Sequence, residues 1–356
     1  MAHLKELINR IRHEERLPTV ISDRCVHTLI EVASCKSCVD VCPRQAWFLD
    51  DEALQFDTTL CDGCGLCVPV CPQRAITIQY DILIGDLGQE KVALCACEQS
   101  GISDNKSTLP CIHLIGLSDI LKLYRQGYYT WVTTTGSCAE CQRGHCTTLF
   151  ERIEQINRAL IEEQNPVIVY HQIEGKQWQR IQSRLDEKTP SPSLSRRAFL
   201  TEMLDSGIDS TSALFKLNEQ EADVHPPPGE LLPNQGESSI WPYVPKIDSN
   251  NCDGCDACVN TCPHNAIELT AGDDKASYRI KPQACTGCAI CQDICDRQAI
   301  TIMEWSQMAQ QILKLQTFTC SRCGNPAHTP AAITTQSLCR ICSQVNHHKN
   351  LFQVMD

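Results

Sequence analysis

A basic surface is the first thing this sequence lacks. Lysine and arginine total 31 against 43 aspartates and glutamates, a formal net charge of −12 over 356 residues. No basic stripe relieves that balance, so a nucleic-acid partner is not expected. No run of about 18 apolar residues occurs, so no segment is expected to cross a bilayer. A secretory start is missing too: MAHLKELINRIRHEERL, residues 1–17, is charged throughout. No GxGxxG follows a strand-like run, which removes the usual dinucleotide site. Neither a Walker phosphate loop nor a CxxCH haem motif occurs. No Ser/His/Asp arrangement stands out. No residue set remains that would select an organic substrate, and the chain is expected to have no small-molecule substrate of its own.

Cysteine is what the sequence has in excess: 26 residues. A short secreted chain of that kind would imply disulfides. This chain is long, and its cysteines stand two or three positions apart in groups, which suits metal thiolates in a reducing compartment. The cytoplasm is the expected location. At the N-terminus Leu4, Leu7, Ile8 and Ile11 share one helical face, so residues 1–20 read as an amphipathic docking helix.

Four copies of one short phrase recur: CPRQAW at 42–47, CPQRAI at 71–76, CPHNAI at 262–267 and CDRQAI at 295–300. They fall in two pairs, and internal repeats of this kind set the domain plan. Three copies end a full CxxCxxCxxxC run: Cys61, Cys64, Cys67 and Cys71; Cys252, Cys255, Cys258 and Cys262; Cys285, Cys288, Cys291 and Cys295. Such runs suit [4Fe–4S] clusters, which need three thiolates from one tight loop and a fourth from elsewhere. Zinc knuckles do not repeat with this spacing.

The first copy has a gap. Cys35, Cys38, Cys42 and Pro43 are in register, but Val32 stands where a further cysteine belongs. Cys25, ten residues before Cys35, is the unassigned cysteine nearby. VHTLIEVAS then reads as a lengthened ligand loop with Cys25 supplying the missing thiolate. The competing reading is a three-cysteine cluster with Cys25 merely buried.

Both halves resemble bacterial two-cluster ferredoxins, whose fourth cysteine crosses over to the neighbouring cluster. The resemblance implies four ligand sets: Cys25, Cys35, Cys38 and Cys71 (site 1); Cys61, Cys64, Cys67 and Cys42 (site 2); Cys252, Cys255, Cys258 and Cys295 (site 3); Cys285, Cys288, Cys291 and Cys262 (site 4). Asp296 departs from the pattern by following Cys295 where proline is usual, and altered backbone and solvent access are expected there. The later half, with LSRRAFL at 194–200 upstream, also resembles the accessory ferredoxin of periplasmic nitrate reductase systems. LSRRAFL has a twin-arginine look, but TEMLDSGIDS follows it rather than an apolar stretch, so a surface helix or docking segment is the expectation.

Residues 88–185 alternate strand-like and helix-like segments. KVALCAC (91–97), YYTWVTTT (128–135) and PVIVYH (166–171) read as strands; LSDILKLYRQG (117–127) and TTLFERIEQINRALIEEQN read as helices. The alternation predicts a small parallel α/β layer, whose sites gather beyond the carboxyl ends of strands. The region resembles, over about 90–165, the small iron–sulfur subunit of methyl-viologen-reducing hydrogenase and heterodisulfide reductase systems. That implies a fifth iron–sulfur site from Cys97, Cys111, Cys138 and Cys141, with Cys95 and Cys146 in reserve. A thioredoxin-like CAEC dithiol and inert thiols beside a structural zinc are the alternatives.

FTCSRCG and SLCRIC set Cys320 and Cys323 ahead of Cys339 and Cys342. Two such knuckles close a tetrahedral shell, read as zinc, with a rubredoxin-like iron as the alternative. His328, His347 and His348 are expected at the surface.

The expected architecture is α+β and multidomain. A docking helix (1–20) precedes a dicluster module (21–87), the α/β domain (88–185) and a Pro/Ser-rich linker (186–247). A second dicluster module (248–305) and a helix plus zinc-ribbon-like segment (306–356) follow. The expected function is a non-catalytic electron-transfer subunit of an oxidoreductase complex, with redox proteins as partners. A flavin enzyme, hydrogenase, formate dehydrogenase or other molybdoenzyme would suit. A maturation ferredoxin for a metalloenzyme and a thiol redox sensor are the other readings.

Overall fold

A computed structural model of the chain describes residues 16–50, 54–102, 107–143, 148–188, 214–216, 225–233, 239–270, 276–307, 312–331, 333 and 337–344. Most of the expected N-terminal helix, all of LSRRAFL, and Cys146, His347 and His348 lie outside these residues.

The two cysteine-rich units share one plan. In the first, an outer antiparallel pair joins Thr19–Val20 to Ile76–Thr77, and an inner pair joins Trp47–Leu49 to Leu54–Phe56. In the second, the outer pair is Ile240–Ile247 with Ile300–Gln307, and the inner pair is Ile267–Thr270 with Ser277–Ile280. Short helices between the pairs, Ser37–Val41 and Cys67–Val70, then Ala257–Thr261 and Ile290–Asp293, carry cysteines inward.

The second unit starts earlier than the expected linker boundary at 247. IWPYVPKI is rich in aromatic and β-branched residues and forms the strand Ile240–Ile247. Its two prolines are tolerated because a two-stranded pair has only edge strands. Pro228–Leu231 adds a short helix within the same stretch. Proline density here marks an edge strand and a helix start rather than a linker.

The middle region forms a six-stranded sheet in the order Leu214–Lys216, Asp81–Leu87, Glu90–Cys97, Thr130–Thr134, Val169–Gln172, with Thr108–Leu109 beside Glu90–Cys97. Glu90–Cys97, Thr130–Thr134 and Val169–Gln172 run parallel, as expected. Asp81–Leu87 is antiparallel and hairpins onto Glu90–Cys97, so the sheet begins before residue 88. Strand alternation splits Glu90–Cys97 between two faces. Ala93, Cys95 and Cys97 face the core containing helices Leu117–Arg125 and Thr148–Glu162, whereas Val92, Leu94 and Ala96 pack with Trp178 and Leu185 of helix Gly175–Lys188. Fully buried Leu94, Ile120 and Leu123 each contribute about 1.5–3 kcal/mol of burial.

The helix expected to open the 306–356 segment is not what 312–319 forms. Ile312–Thr319 is a strand, paired on one side with Ser277–Ile280 and on the other with Pro326–Pro330. In ILKLQTFT, Leu313 and Leu315 are buried while Ile312 and Lys314 face out, the two-residue period of a sheet. The C-terminal segment therefore extends the second unit's sheet.

Candidate metal centres

One turn is built four times. Cys42, Cys71, Cys262 and Cys295 each accept a backbone N–H from the alanine four residues on, at 3.2–3.3 Å from Ala46, Ala75, Ala266 and Ala299. In each copy the third residue after the cysteine, Gln45, Arg74, Asn265 or Gln298, has φ near +50°. Its N–H returns to the cysteine carbonyl. The fourth turn closes as the others do, so Asp296 does not alter this backbone. Proline's absence there serves another contact, since the Asp296 carboxylate accepts from Arg340 of the C-terminal segment.

Around site 1, burial first and then the Cys35, Cys71 and Cys25 sulfurs push the Cys38 thiol up to about 12. All four expected ligands are thus brought together, Cys25 included. The insertion folds back as a short helix, Val26–Leu29, and His27 Nε2 donates to the Cys35 carbonyl at 2.7 Å. Val32 is 57% exposed, well outside the site.

Sites 2, 3 and 4 gather in the same crossed manner. Cys67 is pushed up by burial and then by Cys64, Cys61 and Cys42. Burial, Cys252, Cys255 and Cys295 raise Cys258 to about 12. Cys291 is raised by burial, then by Cys285, Cys288 and Cys262. Groups of four half-buried sulfurs that repel one another as thiolates fit a polycationic core, and N–H donors to the crossing sulfurs fit it further. Left-handed residues at Gly63, Gly254 and Gly287 (φ +67° to +77°) set the tight CxGC turns.

In the middle region Cys97, Cys111, Cys138 and Cys141 line one cavity, with Gln99, His113 and Arg143. Cys95 is fully buried beneath the sheet and does not reach it. Two residues that no motif marks organise this cavity. His113 Nδ1 accepts the Leu149 N–H at 3.2 Å, which leaves the proton on Nε2, 3.8 Å from the Cys138 sulfur. Burial and then the Arg152 charge lower His113 to about 4, so the ring is neutral near pH 7. Arg143 donates to Asp62 at 3.0 Å, to the Pro110 carbonyl and, at 3.5 Å, to Glu98. It thereby ties together loops carrying Cys61, Cys64, Cys97, Cys111 and Cys141. LPCIHL and CAECQR place both residues two positions after a cysteine, a signal visible only in hindsight.

The sulfurs of Cys320, Cys323, Cys339 and Cys342 all lie within 4.8 Å of one another and could hold a metal ion. The Cys339 N–H donates to Cys320 at 3.3 Å, and the Cys342 N–H to Cys339 at 3.4 Å. Donors of this kind hold Cys320 below the ordinary thiol range. His328, expected at the surface, is partly buried. It pairs with Asp256 at 2.9 Å, because Pro326–Pro330 packs against the Cys252–Cys255 loop and Gly254 leaves no room for a side chain beside the His328 carbonyl.

Comparisons with known proteins fall on these units. The 4Fe-4S dicluster domain family matches residues 251–296, and 4Fe-4S binding domain families match residues 22–45 and 54–77. The gapped first copy, with Cys25, lies within a matched stretch. The chain carries ferredoxin-type 4Fe–4S domains. It is also similar to a CoB--CoM heterodisulfide reductase iron-sulfur subunit of Methanopyrus kandleri, at 45% identity over 40 residues. That stretch is 11% of this chain and 6% of the relative. No helix among the described residues is long and apolar enough to cross a membrane.

Proposed function

We propose that the chain is a multi-cluster electron-transfer subunit, passing single electrons between a donor and an acceptor protein within an oxidoreductase complex of the cytoplasm. Sites 1 to 4, with the ligand sets given above, hold four [4Fe–4S] clusters, and Cys97, Cys111, Cys138 and Cys141 hold a fifth iron–sulfur group. Cys320, Cys323, Cys339 and Cys342 hold structural zinc. The observation that supports this reading most is the turn built four times at Cys42, Cys71, Cys262 and Cys295, on two units of one plan whose cysteine runs match 4Fe-4S families. The iron-sulfur protein of the heterodisulfide reductase to which the chain is similar supports it.

Bound clusters supply one-electron redox chemistry. The chain's residues do the rest. Alanine N–H groups donate to the crossing sulfurs and stabilise the more negative state. Val68, Ile76, Ile78, Ile267 and Ile300 keep water from the sites. Four thiolates at each of these sites leave no open position for a substrate, so electrons enter and leave at protein contacts. Anaerobic iron and acid-labile sulfide analysis, combined with native purification to identify bound partner proteins, tests the proposal. A value near eight irons, half the number four such clusters require, overturns it.

A further inference from the structure

The five proposed iron–sulfur sites are spread over three structural units, and their contacts run in a line. The middle site meets site 2: Cys111 packs with Cys64 and Leu66, and Arg143 joins the two sets of loops. Site 2 and site 1 share a unit through the crossings at Cys42 and Cys71. Sites 3 and 4 share the second unit, where Cys258 lies close enough to influence Cys291.

The first unit touches the second at site 4, through the turn that follows a site 1 ligand. Gln73 stands two residues after Cys71. Its amide nitrogen is 3.4 Å from the Thr286 hydroxyl, one residue after Cys285. Its amide oxygen accepts from His264 Nε2 at 2.8 Å, two residues after Cys262. One side chain thus reaches the turns that carry two of the four site 4 sulfurs, Cys285 and Cys262. A second bridge lies alongside. Ser34, one residue before Cys35, donates from its N–H and hydroxyl to both carboxylate oxygens of Asp293 at 2.8 and 2.7 Å. Asp293 sits between Cys291 of site 4 and Cys295 of site 3.

We propose that the sites form a single relay in the order middle site, site 2, site 1, site 4, site 3, and that Gln73 carries the crossing between the two ferredoxin units. This rests on the electron-transfer reading above. Each transit moves one electron, taken from a low-potential one-electron carrier at one end and given to a one-electron acceptor at the other. The path from Cys71 to Cys285 then runs through the bonds of Pro72 and Gln73, the Gln73–Thr286 hydrogen bond and the bonds of Thr286, with no gap. Gln73 is a positioning residue that holds the turns of Cys285 and Cys262 against the turn of Cys71.

The test uses the full-length, cluster-loaded chain and its Gln73→Leu variant, which keeps volume and removes both donor and acceptor. Iron is counted, potentials are read by electron paramagnetic resonance titration, and equilibration between units is followed after a pulse of methyl viologen radical. The expected result is unchanged iron and, at the driving force that the titration gives, slower equilibration between the units. Full iron with an unchanged rate overturns the crossing at Gln73 while leaving the electron-transfer reading intact. A wild-type chain without its cluster complement sinks that reading instead. Should Gln73→Leu fail to fold, Thr286→Val removes the acceptor of the Gln73 amide and leaves Gln73 in place. It is expected to slow equilibration as well, and an unmoved rate there overturns the proposal.

Discussion

His27 Nε2 lies 2.7 Å from the carbonyl oxygen of Cys35. A carbonyl only accepts, so Nε2 carries the proton, and the bond fastens the residue two after Cys25 to the next expected ligand of site 1. The lengthened loop is therefore held shut by its own side chain. Cys25→Ser is expected to remove one cluster, about four irons of roughly sixteen, and to leave the signals of the other three. His27→Ala is expected to make the same cluster labile, at a cost of about 1 kcal/mol for the lost hydrogen bond. Val32→Cys added to Cys25→Ser restores nothing, since position 32 faces solvent. Unchanged iron and spectra in Cys25→Ser would make Cys25 a bystander.

Arg143 joins Asp62, Glu98 and Pro110 with only 12% of its side chain exposed. Arg143→Met leaves two partly buried carboxylates without this partner. The expected loss is roughly 1.5–3 kcal/mol for bonds to charged groups. Chelator-driven iron release from site 2 and the middle site should quicken together, with sites 3 and 4 unaffected. Independent release rates would show that Arg143 does not couple them.

The C-terminal cysteines are expected to hold a metal whose loss spares the cubane sites. Cys320→Ser should abolish zinc binding and loosen 337–344, while total iron stays the same. Elemental analysis decides it: iron falling in step with zinc would contradict a separate structural role.

The His328–Asp256 pair gives a pH dependence with a definite sign. Its hydrogen bond to Asp256 raises His328 above the ordinary histidine value, and bonds from His328 and Tyr278 hold Asp256 below the ordinary carboxylate value. A raised histidine contributes fully below its unfolded pKa and loses that contribution as pH rises through the folded one; the depressed carboxylate loses its own as pH falls. The attachment of 326–330 to the second unit should therefore be firmest between the two and weaken towards alkaline pH. Hydrogen exchange across 312–330 measures it, and in His328→Gln the alkaline weakening is expected to vanish. The partly exposed pair is worth about 1 kcal/mol at most.

Much of this was legible because thiolate chemistry is encoded in short spacings. The three complete runs and the C-terminal quartet are sequence-local patterns; the crossing partners are implied only by the resemblance to two-cluster ferredoxins. So is the alternation that forms the parallel strands Glu90–Cys97, Thr130–Thr134 and Val169–Gln172. What stayed hidden depends on pairing between distant segments. Ile240–Ile247 looked like linker because its prolines mask a strand whose partner lies some sixty residues on. Ile312–Thr319 pairs with strands on both sides, which overrides any local helical preference. Arg143 and His113 carry no motif; their roles exist only once four loops meet.

The crossed thiols have a consequence for how the protein is made. A ribosome delivers Cys25, Cys35 and Cys38 well before Cys71, and Cys252, Cys255 and Cys258 well before Cys295. With the proposed ligand sets, no cubane site in either unit is complete until the second cysteine run of that unit has emerged, sites 2 and 4 at Cys67 and Cys291 and sites 1 and 3 only at Cys71 and Cys295, and a chain grows N-terminal end first at about 5–20 residues per second. Metal loading of each unit must then wait for its second run. Until that moment the earlier thiols are exposed to oxidants, so biogenesis, rather than the finished fold, is where oxygen would do the most damage.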